Sequence, residues 1–232
     1  MRSIRLPSIA LVASLTMLLQ SAVCANEYPN SKVTELEIDR QVSKIDQHHP
    51  GLDSEHRYLG ACGKEDCSLE PGQSLPVLDI QVGGEISVSD NKIVKKSWSS
   101  KSFDSKGKVQ LVQYVAANRS AARQNRPFTD ALIEKQFSSE KLDTTVIVNT
   151  ADMMAFTKVF VDKKLAKNKI KHQTVNFIID DNGVGIQSWG MTHKSFAIIV
   201  LDANGKVLFA KDGPLSEVEI EDTIKLIESQ II

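Results

Sequence analysis

The eight residues Val109-Gln-Leu-Val-Gln-Tyr-Val-Ala116 form a nearly continuous apolar run with the length of one buried β-strand. Two similar runs follow it, at residues 145–149 and 175–180. Helical patterns separate the three runs, at about 120–137 and about 156–168. Strands that alternate with helices in this way predict an α/β domain with a covered central sheet.

Pro127 lies inside the first of these helical patterns and is expected to kink or restart that helix. Upstream, alternating apolar and polar residues at 85–89 and 92–96 predict a two-stranded ribbon that turns at Asp90-Asn91. Residues 184–189, after the third buried run, are expected to form a short helix. These elements extend the domain on both sides of its central strands.

The C-terminal part adds a hairpin and a last helix. Runs at 196–202 and 206–210 flank an Asn-Gly turn, which is a strong hairpin signal. Ser216 and Glu219 then form a capping box, followed by apolar residues at helical spacing. The sequence therefore predicts that the domain ends on an amphipathic helix.

Composition limits the classes of function. The chain of 232 residues is 41% hydrophobic and 25% charged, which is typical of a folded protein. Lys and Arg number 28 against 29 Asp and Glu, so no global positive field favours nucleic acid. Three cysteines are too few for a disulfide-dense scaffold, and no pair of Cys-x-x-Cys motifs indicates a structural zinc ion.

The N-terminus has the pattern of a secretory signal peptide. Arg2 and Arg5 precede an apolar run at 9–19, and small residues before Asn26 offer a cleavage site after Ala25. The run is shorter than the roughly 20 residues needed to cross a bilayer. We therefore expect residues 1–25 to be removed, leaving an exported chain without a membrane span.

Two alternatives remain for this terminus. One is a retained membrane anchor, which the short apolar run disfavours. The other is lipid attachment at Cys24, for which Ser21 and Val23 fit poorly.

Residues 26–70 form an acidic extension, with ten acidic and five basic residues before the composition changes near Pro71. Apolar residues within 31–47 recur at mostly helical spacing and predict one amphipathic helix. Its apolar stripe is expected to pack on the main domain, 71–232, or on a second protein.

Cys62 and Cys67 lie in this extension. In an exported chain paired thiols normally form disulfides, so we expect a structural bond that pins a local turn. The alternatives are a redox-active pair, or a metal site that also uses neighbouring histidines, namely His48, His49 or His56.

The main domain contains a combination of motifs at 107–116 with 119–121, 144–150, 177–184, and 197–202 with 210–213. Through these motifs it resembles the YtfJ family of bacterial periplasmic proteins, a family with no settled activity. The resemblance implies a thioredoxin-like fold with the peroxiredoxin-type order of elements, as a three-layer α/β/α domain in the periplasm.

A thioredoxin-type enzyme needs a thiolate at the start of the helix after its first buried strand, where the helix lowers the thiol pKa. Here that position is occupied by Arg119-Ser120-Ala121-Ala122. The family's cis-proline would fall at about Ser195 or Phe196, and neither is proline. The sequence therefore predicts a redox-inactive domain.

What remains at this helix start is basic and polar. Arg119, Arg123 and Arg126 stand at i, i+4 and i+7, beside Asn118 and Ser120. On one helix face these groups could bind a phosphate, a carboxylate or an acidic peptide; the alternative is a solvated face paired with acids elsewhere. A nucleophilic role for Ser120 is disfavoured because no nucleophile-elbow sequence surrounds it.

These observations favour a non-enzymatic role in binding an unknown peptide, protein or small anion, without cofactor or metal. The alternative of a different class is a thiol-disulfide oxidoreductase that uses Cys62 and Cys67. A third is an assembly role in which the helix at 31–47 docks a partner.

Overall fold

The computed structural model describes residues 69–89, 92–103 and 107–231. The predicted signal peptide at 1–25, the predicted helix at 31–47 and the predicted Cys62–Cys67 disulfide lie outside these residues. Within the described ranges, no helix combines the length and the apolar character that a bilayer crossing requires.

The described residues form seven strands and five α-helices. The strands are β1 Asp79–Ser89, β2 Lys92–Ser99, β3 Val109–Ala116, β4 Leu142–Asn149, β5 Val175–Asp180, β6 Phe196–Leu201 and β7 Val207–Asp212. The helices are α1 Arg119–Gln124, α2 Arg126–Lys135, α3 Ala155–Lys171, α4 Val184–Trp189 and α5 Glu217–Gln230. A 3-10 turn, Ser100–Phe103, follows β2.

The three long apolar runs are adjacent parallel strands. The single sheet has the order β2-β1-β5-β4-β3-β6-β7, in which β3, β4 and β5 run parallel. On the other side of β3, the hairpin of β6 and β7 is antiparallel, and α5 follows it. This arrangement around β4-β3-β6-β7 is the thioredoxin-like fold.

Strand register determines which helices share a face. Gln113, Val146 and Phe177 lie side by side across β3, β4 and β5 and so point to the same face. Apolar residues of α1, α2, α3 and α5 pack on that face. The opposite face is covered by α4 and by the segment 69–78, in which Leu69 and Leu78 are buried. Helices and chain thus cover both faces, which confirms the predicted three layers.

As expected from Pro127, the helix predicted at 120–137 is two helices, which meet at Asn125. This buried side chain donates from Nδ2 to Gln113 Oε1 on β3 at 2.8 Å, and Pro127 lies in the first turn of α2. Arg126 therefore belongs to a different helix from Arg119 and Arg123. The three arginines therefore do not share one continuous helix, and two of them remain on α1.

A buried carboxylate ties three elements together beneath the end of the sheet. Asp180, at the end of β5, accepts from the Tyr114 hydroxyl of β3 at 2.8 Å. It also accepts from the backbone N–H groups of Val184 and Gly185, both at 2.9 Å, at the start of α4. Burial, and then the Asp180 charge, raise the pKa of Tyr114 well above its ordinary value, so its hydroxyl keeps the donated proton.

Gly185 allows this close approach. A Cβ atom at this position would lie 2.3 Å from Tyr114 Cε2, far inside van der Waals contact. We expect Gly185→Ala to destabilise the domain by about 2 kcal/mol, because α4 must move off the Tyr114 ring. Urea denaturation measures this, with Gln187→Ala on the exposed side of the same helix as the control. An unchanged midpoint for Gly185→Ala would contradict the packing.

His172 provides a pH-dependent prediction. It is buried at the end of α3, and neither ring nitrogen has a hydrogen-bond partner among the described residues. Burial, together with the charge of Lys171, lowers its pKa from 6.5 to about 4. Between these values the unfolded chain binds a proton that the native protein does not, so stability falls as the pH falls.

The change to test is His172→Leu, which removes this titration. Relative to that variant, the native chain should lose about 2 kcal/mol of unfolding free energy between pH 7.5 and pH 4.5. Urea denaturation of both proteins at the two pH values gives the difference. Parallel losses in the two proteins would show that His172 titrates normally.

Candidate functional site

The carboxyl ends of β3, β4 and β5 meet at one edge of the sheet, because these strands are parallel. In open α/β sheets this edge is the usual location of ligand sites. The start of α1 and the loop at 192–195 before β6 lie at the same edge, since β6 begins beside the end of β3. This carboxyl edge is where a thioredoxin-like enzyme would carry its thiol.

Asn118 joins the start of α1 to that loop. Its backbone is extended, and its Oδ1 caps the helix by accepting from the Ala121 N–H at 2.8 Å. Its Nδ2 donates to the Lys194 carbonyl oxygen at 2.9 Å. Both ends of the carboxamide are therefore committed to structure. The Asn118 side chain holds the edge together, and a ligand would have to compete with these bonds.

The loop at 192–195 replaces the cis-proline segment of thioredoxin enzymes. All peptide bonds of the described residues are trans, and Lys194 has a φ of 60°, in the left-handed region. That conformation is costly for a residue other than glycine. Hydrogen bonds on both sides stabilise it, since Ala116 N–H donates to the Ser195 carbonyl at 2.9 Å beside the Asn118 bond.

The remaining predicted residues separate into two groups. Arg119, Ser120 and Arg123 are exposed on α1. Arg126 begins α2, where its Nε lies 3.4 Å from the Asp130 carboxylate. With six residues, α1 has fewer than two turns, so its dipole adds little to anion binding. Any attraction for an anion at this tip rests on the two guanidinium groups.

The structure also places acidic groups at this edge that the sequence reasoning did not select. Asp181 follows β5 and accepts from the Thr150 hydroxyl at 2.6 Å. Lys158 and Lys95 lie 3.3 and 3.5 Å from its carboxylate. Burial opposes ionisation of Asp181, but the hydroxyl and the two ammonium groups outweigh it and lower its pKa. Asp181 is thus an ionised structural anchor and a poor proton acceptor.

Asp152 is the second such group, and its carboxylate lies 3.5 Å from His193 Nδ1. Asp181 stands directly after β5, and Asp152 stands three residues after the end of β4. Their position after the runs at 145–149 and 175–180 was the available signal. Each pairs with residues distant in sequence, so the pairing itself was not readable from the chain.

The chemistry open to this edge is limited. The Ser120 hydroxyl has no basic partner within hydrogen-bond distance in the part of the chain that the structure describes. Across the same residues, no three His, Cys, Asp or Glu side chains converge in a way that would bind a metal ion. The edge presents fixed backbone, ion pairs and two exposed guanidinium groups.

The sequence pattern of a bacterial protein family of unknown function, YtfJ_HI0045, matches residues 69–230, which is more than half of the chain. The chain belongs to the YtfJ family. The uncharacterized protein YtfJ of Escherichia coli (strain K12) is 33% identical over 160 residues, covering 69% of this chain and 86% of that relative. An uncharacterized protein of Haemophilus influenzae is 34% identical over 160 residues, with the same coverage of both chains.

Among solved structures, the thioredoxin domain of a thiol-disulfide oxidoreductase from Bacteroides vulgatus resembles this chain with a TM-score of 0.42 and 20% identity. The likeness covers 68% of this chain and 98% of that domain. A likeness at this level carries no information on activity.

The two hydrogen bonds of Asn118 can be separated by substitution. Asn118→Ala removes both bonds and should cost about 1–2 kcal/mol of unfolding free energy. Asn118→Ser keeps a helix cap but is too short to reach Lys194, so it should cost about half as much. Urea denaturation gives the stabilities, and hydrogen exchange over 192–196 should be faster in both variants. Unchanged exchange there would show that Asn118 does not hold the loop.

Proposed function

We propose that this chain is an exported periplasmic protein whose thioredoxin-like domain lacks redox activity and binds a peptide, protein or small anion. The proposal rests on which residues occupy the carboxyl edge of the sheet. Where the fold would hold a reactive thiol, the chain has exposed Arg119 and Ser120, fixed in place by the Asn118 carboxamide.

The distribution of sulfur supports the absence of thiol chemistry at this edge. Thiol exchange requires a thiolate that can attack a disulfide. The three cysteines of the chain are Cys24, Cys62 and Cys67, and all precede the family domain at 69–230. Lys194, in the loop that would present substrate, is instead bonded to Asn118 through its carbonyl oxygen.

The exposed guanidinium groups of Arg119 and Arg123 support an anionic or acidic ligand. Guanidinium makes charge-assisted, often bidentate bonds to carboxylate and phosphate. The helix that carries both arginines is buried on its other side through Ala121 and Ala122 and is capped by Asn118. A rigid base for flexible side chains lowers the entropic cost of binding.

The N-terminal pattern supports export. Arg2 and Arg5, the apolar run at 9–19 and the small residues up to Ala25 match a signal peptide in order and length. Mass spectrometry of the purified protein would give the mature N-terminus, for which we expect Asn26.

Binding at the edge is tested by removing two charges there and two elsewhere. The change is Arg119→Ala with Arg123→Ala, and the control is Lys141→Ala with Lys206→Ala. Both control lysines are exposed and lie toward the other end of the strands, before β4 and before β7. NMR titration with inorganic phosphate and with a short polyglutamate peptide measures the affinity.

We expect at least one of these two probes to bind in a saturable way, about tenfold more weakly to the arginine variant and unchanged to the lysine variant. Equal weakening in both variants would indicate a diffuse charge effect, and no saturable binding of either probe would remove anions from the proposal.

A further inference from the structure

Helix α3 presents a strongly basic outer face. Its 17 residues include six lysines and one aspartate. Two of the lysines are engaged at the sheet side: Lys158 with Asp181, and Lys169 with the carbonyl oxygens of Gln173 and Val175. The exposed lysines Lys163, Lys167 and Lys171 point outward.

The same face carries apolar side chains in water. Val159, Phe160 and Ile170 are each slightly more than half exposed, at 54%, 53% and 51%. On a helical wheel they interleave with the outward lysines, while Val161 and Leu165 of the same helix are buried against the sheet. We call Val159, Phe160, Lys163, Lys167, Ile170 and Lys171 the outer face of α3.

Among the described residues, two lysines of this face, Lys163 and Lys167, have no ion-pair partner within 4.0 Å. Asp162, the one acid of the helix, pairs with Lys95 of β2 at 3.1 Å. Asp181 is occupied by Lys158 and Lys95. The face therefore combines the positive charge of Lys163 and Lys167 with apolar area, a combination that favours an acidic and amphipathic partner.

The chain itself supplies a segment of that chemistry. Residues 26–68 hold nine acidic and five basic side chains, a net charge of −4, whereas α3 has a net charge of +5. Residues 31–47 within this segment have apolar residues at the spacing of an amphipathic helix. Contact between α3 and the segment 26–68 would thus bury apolar area of both and pair their opposite charges.

The chain between residues 31–47 and the domain is long enough for this contact. The segment joins the domain at Leu69, next to Gly72 and Gln73, which pair with Val207 of the edge strand β7. From the first strand to the last, the seven-stranded sheet is roughly 29 Å wide at the usual strand spacing. The 21 residues at 48–68 alone can extend up to about 70 Å, enough to go around the sheet to α3.

We propose that the acidic segment 26–68 docks on the outer face of α3 in the same molecule. The apolar residues of 31–47 would cover Val159, Phe160 and Ile170, and its flanking acids would face Lys163 and Lys167. This contact is separate from the carboxyl edge, so its test does not depend on the proposed ligand site.

Zero-length carbodiimide cross-linking tests the contact in the full protein purified from the periplasm. Peptide mass spectrometry should find carboxylates of 26–68 joined to Lys163, Lys167 or Lys171 within monomers. Exposed Lys101 and Lys141 serve as reference lysines and should give at least about fivefold fewer links. Equal labelling of all these lysines would overturn the proposal.

Limited trypsin digestion gives a second readout with matched variants. Lys163→Glu with Lys167→Glu should speed cleavage within 26–68 by about tenfold, because the segment is released. Lys101→Glu with Lys141→Glu changes the same charge elsewhere and should leave the rate unchanged. If the first variant does not fold, as judged by urea denaturation, Lys163→Gln with Lys167→Gln replaces it, with a smaller increase expected.

Three outcomes would overturn the proposal, and the first two would assign the face to another occupant. Cross-links found only in covalent dimers would indicate a second copy of the chain. Binding to phosphatidylglycerol vesicles through the same lysines, without links to 26–68, would indicate a membrane surface. Equal trypsin rates in both charge variants would show that the segment does not use α3.

Discussion

The Asn118 carboxamide is the contact on which the carboxyl edge of this domain depends. It caps α1 through Ala121 and holds the loop at 192–195 through Lys194. In a thioredoxin-like enzyme the same place combines a nucleophile with a substrate-binding loop, and both must stay accessible. Here the Asn118 side chain uses its donor and its acceptor to join the start of α1 to the loop at 192–195. The edge is therefore rigid where the fold usually reacts.

The surrounding buried polar groups also hold the elements at this edge in place. Asp180 is satisfied by Tyr114 and by the start of α4, and Asp181 is held by Thr150 and two lysines. Buried polar groups with full sets of partners specify one arrangement of the elements around them. A domain built in this way is suited to present a fixed surface.

Much of the fold was readable from the sequence because local signals and burial agree. The strands Val109–Ala116 and Val175–Asp180 and the helix Val184–Trp189 have the predicted bounds, and the Ser216 capping box begins α5. Tertiary contacts decided the rest. The Asn125 amide, at the helix restart expected from Pro127, reaches β3. Strand β1 starts earlier than expected, at Asp79, and Gly84 and Gly83 let it pass close to β2 and β5. The predicted residues Asn118, Arg119, Ser120 and Arg123 do lie together, whereas the acids of the edge depend on partners distant in sequence.

We propose that this protein does not exchange thiols and disulfides, and the rate at which it reduces a disulfide substrate is the decisive measurement. The measurement compares the native chain with a Cys62→Ser, Cys67→Ser variant, using insulin as substrate and dithiothreitol as reductant. We predict equal rates for the two proteins, both at the background of dithiothreitol alone. A native rate well above background that disappears in the variant would contradict the claim and would identify Cys62 and Cys67 as the working pair.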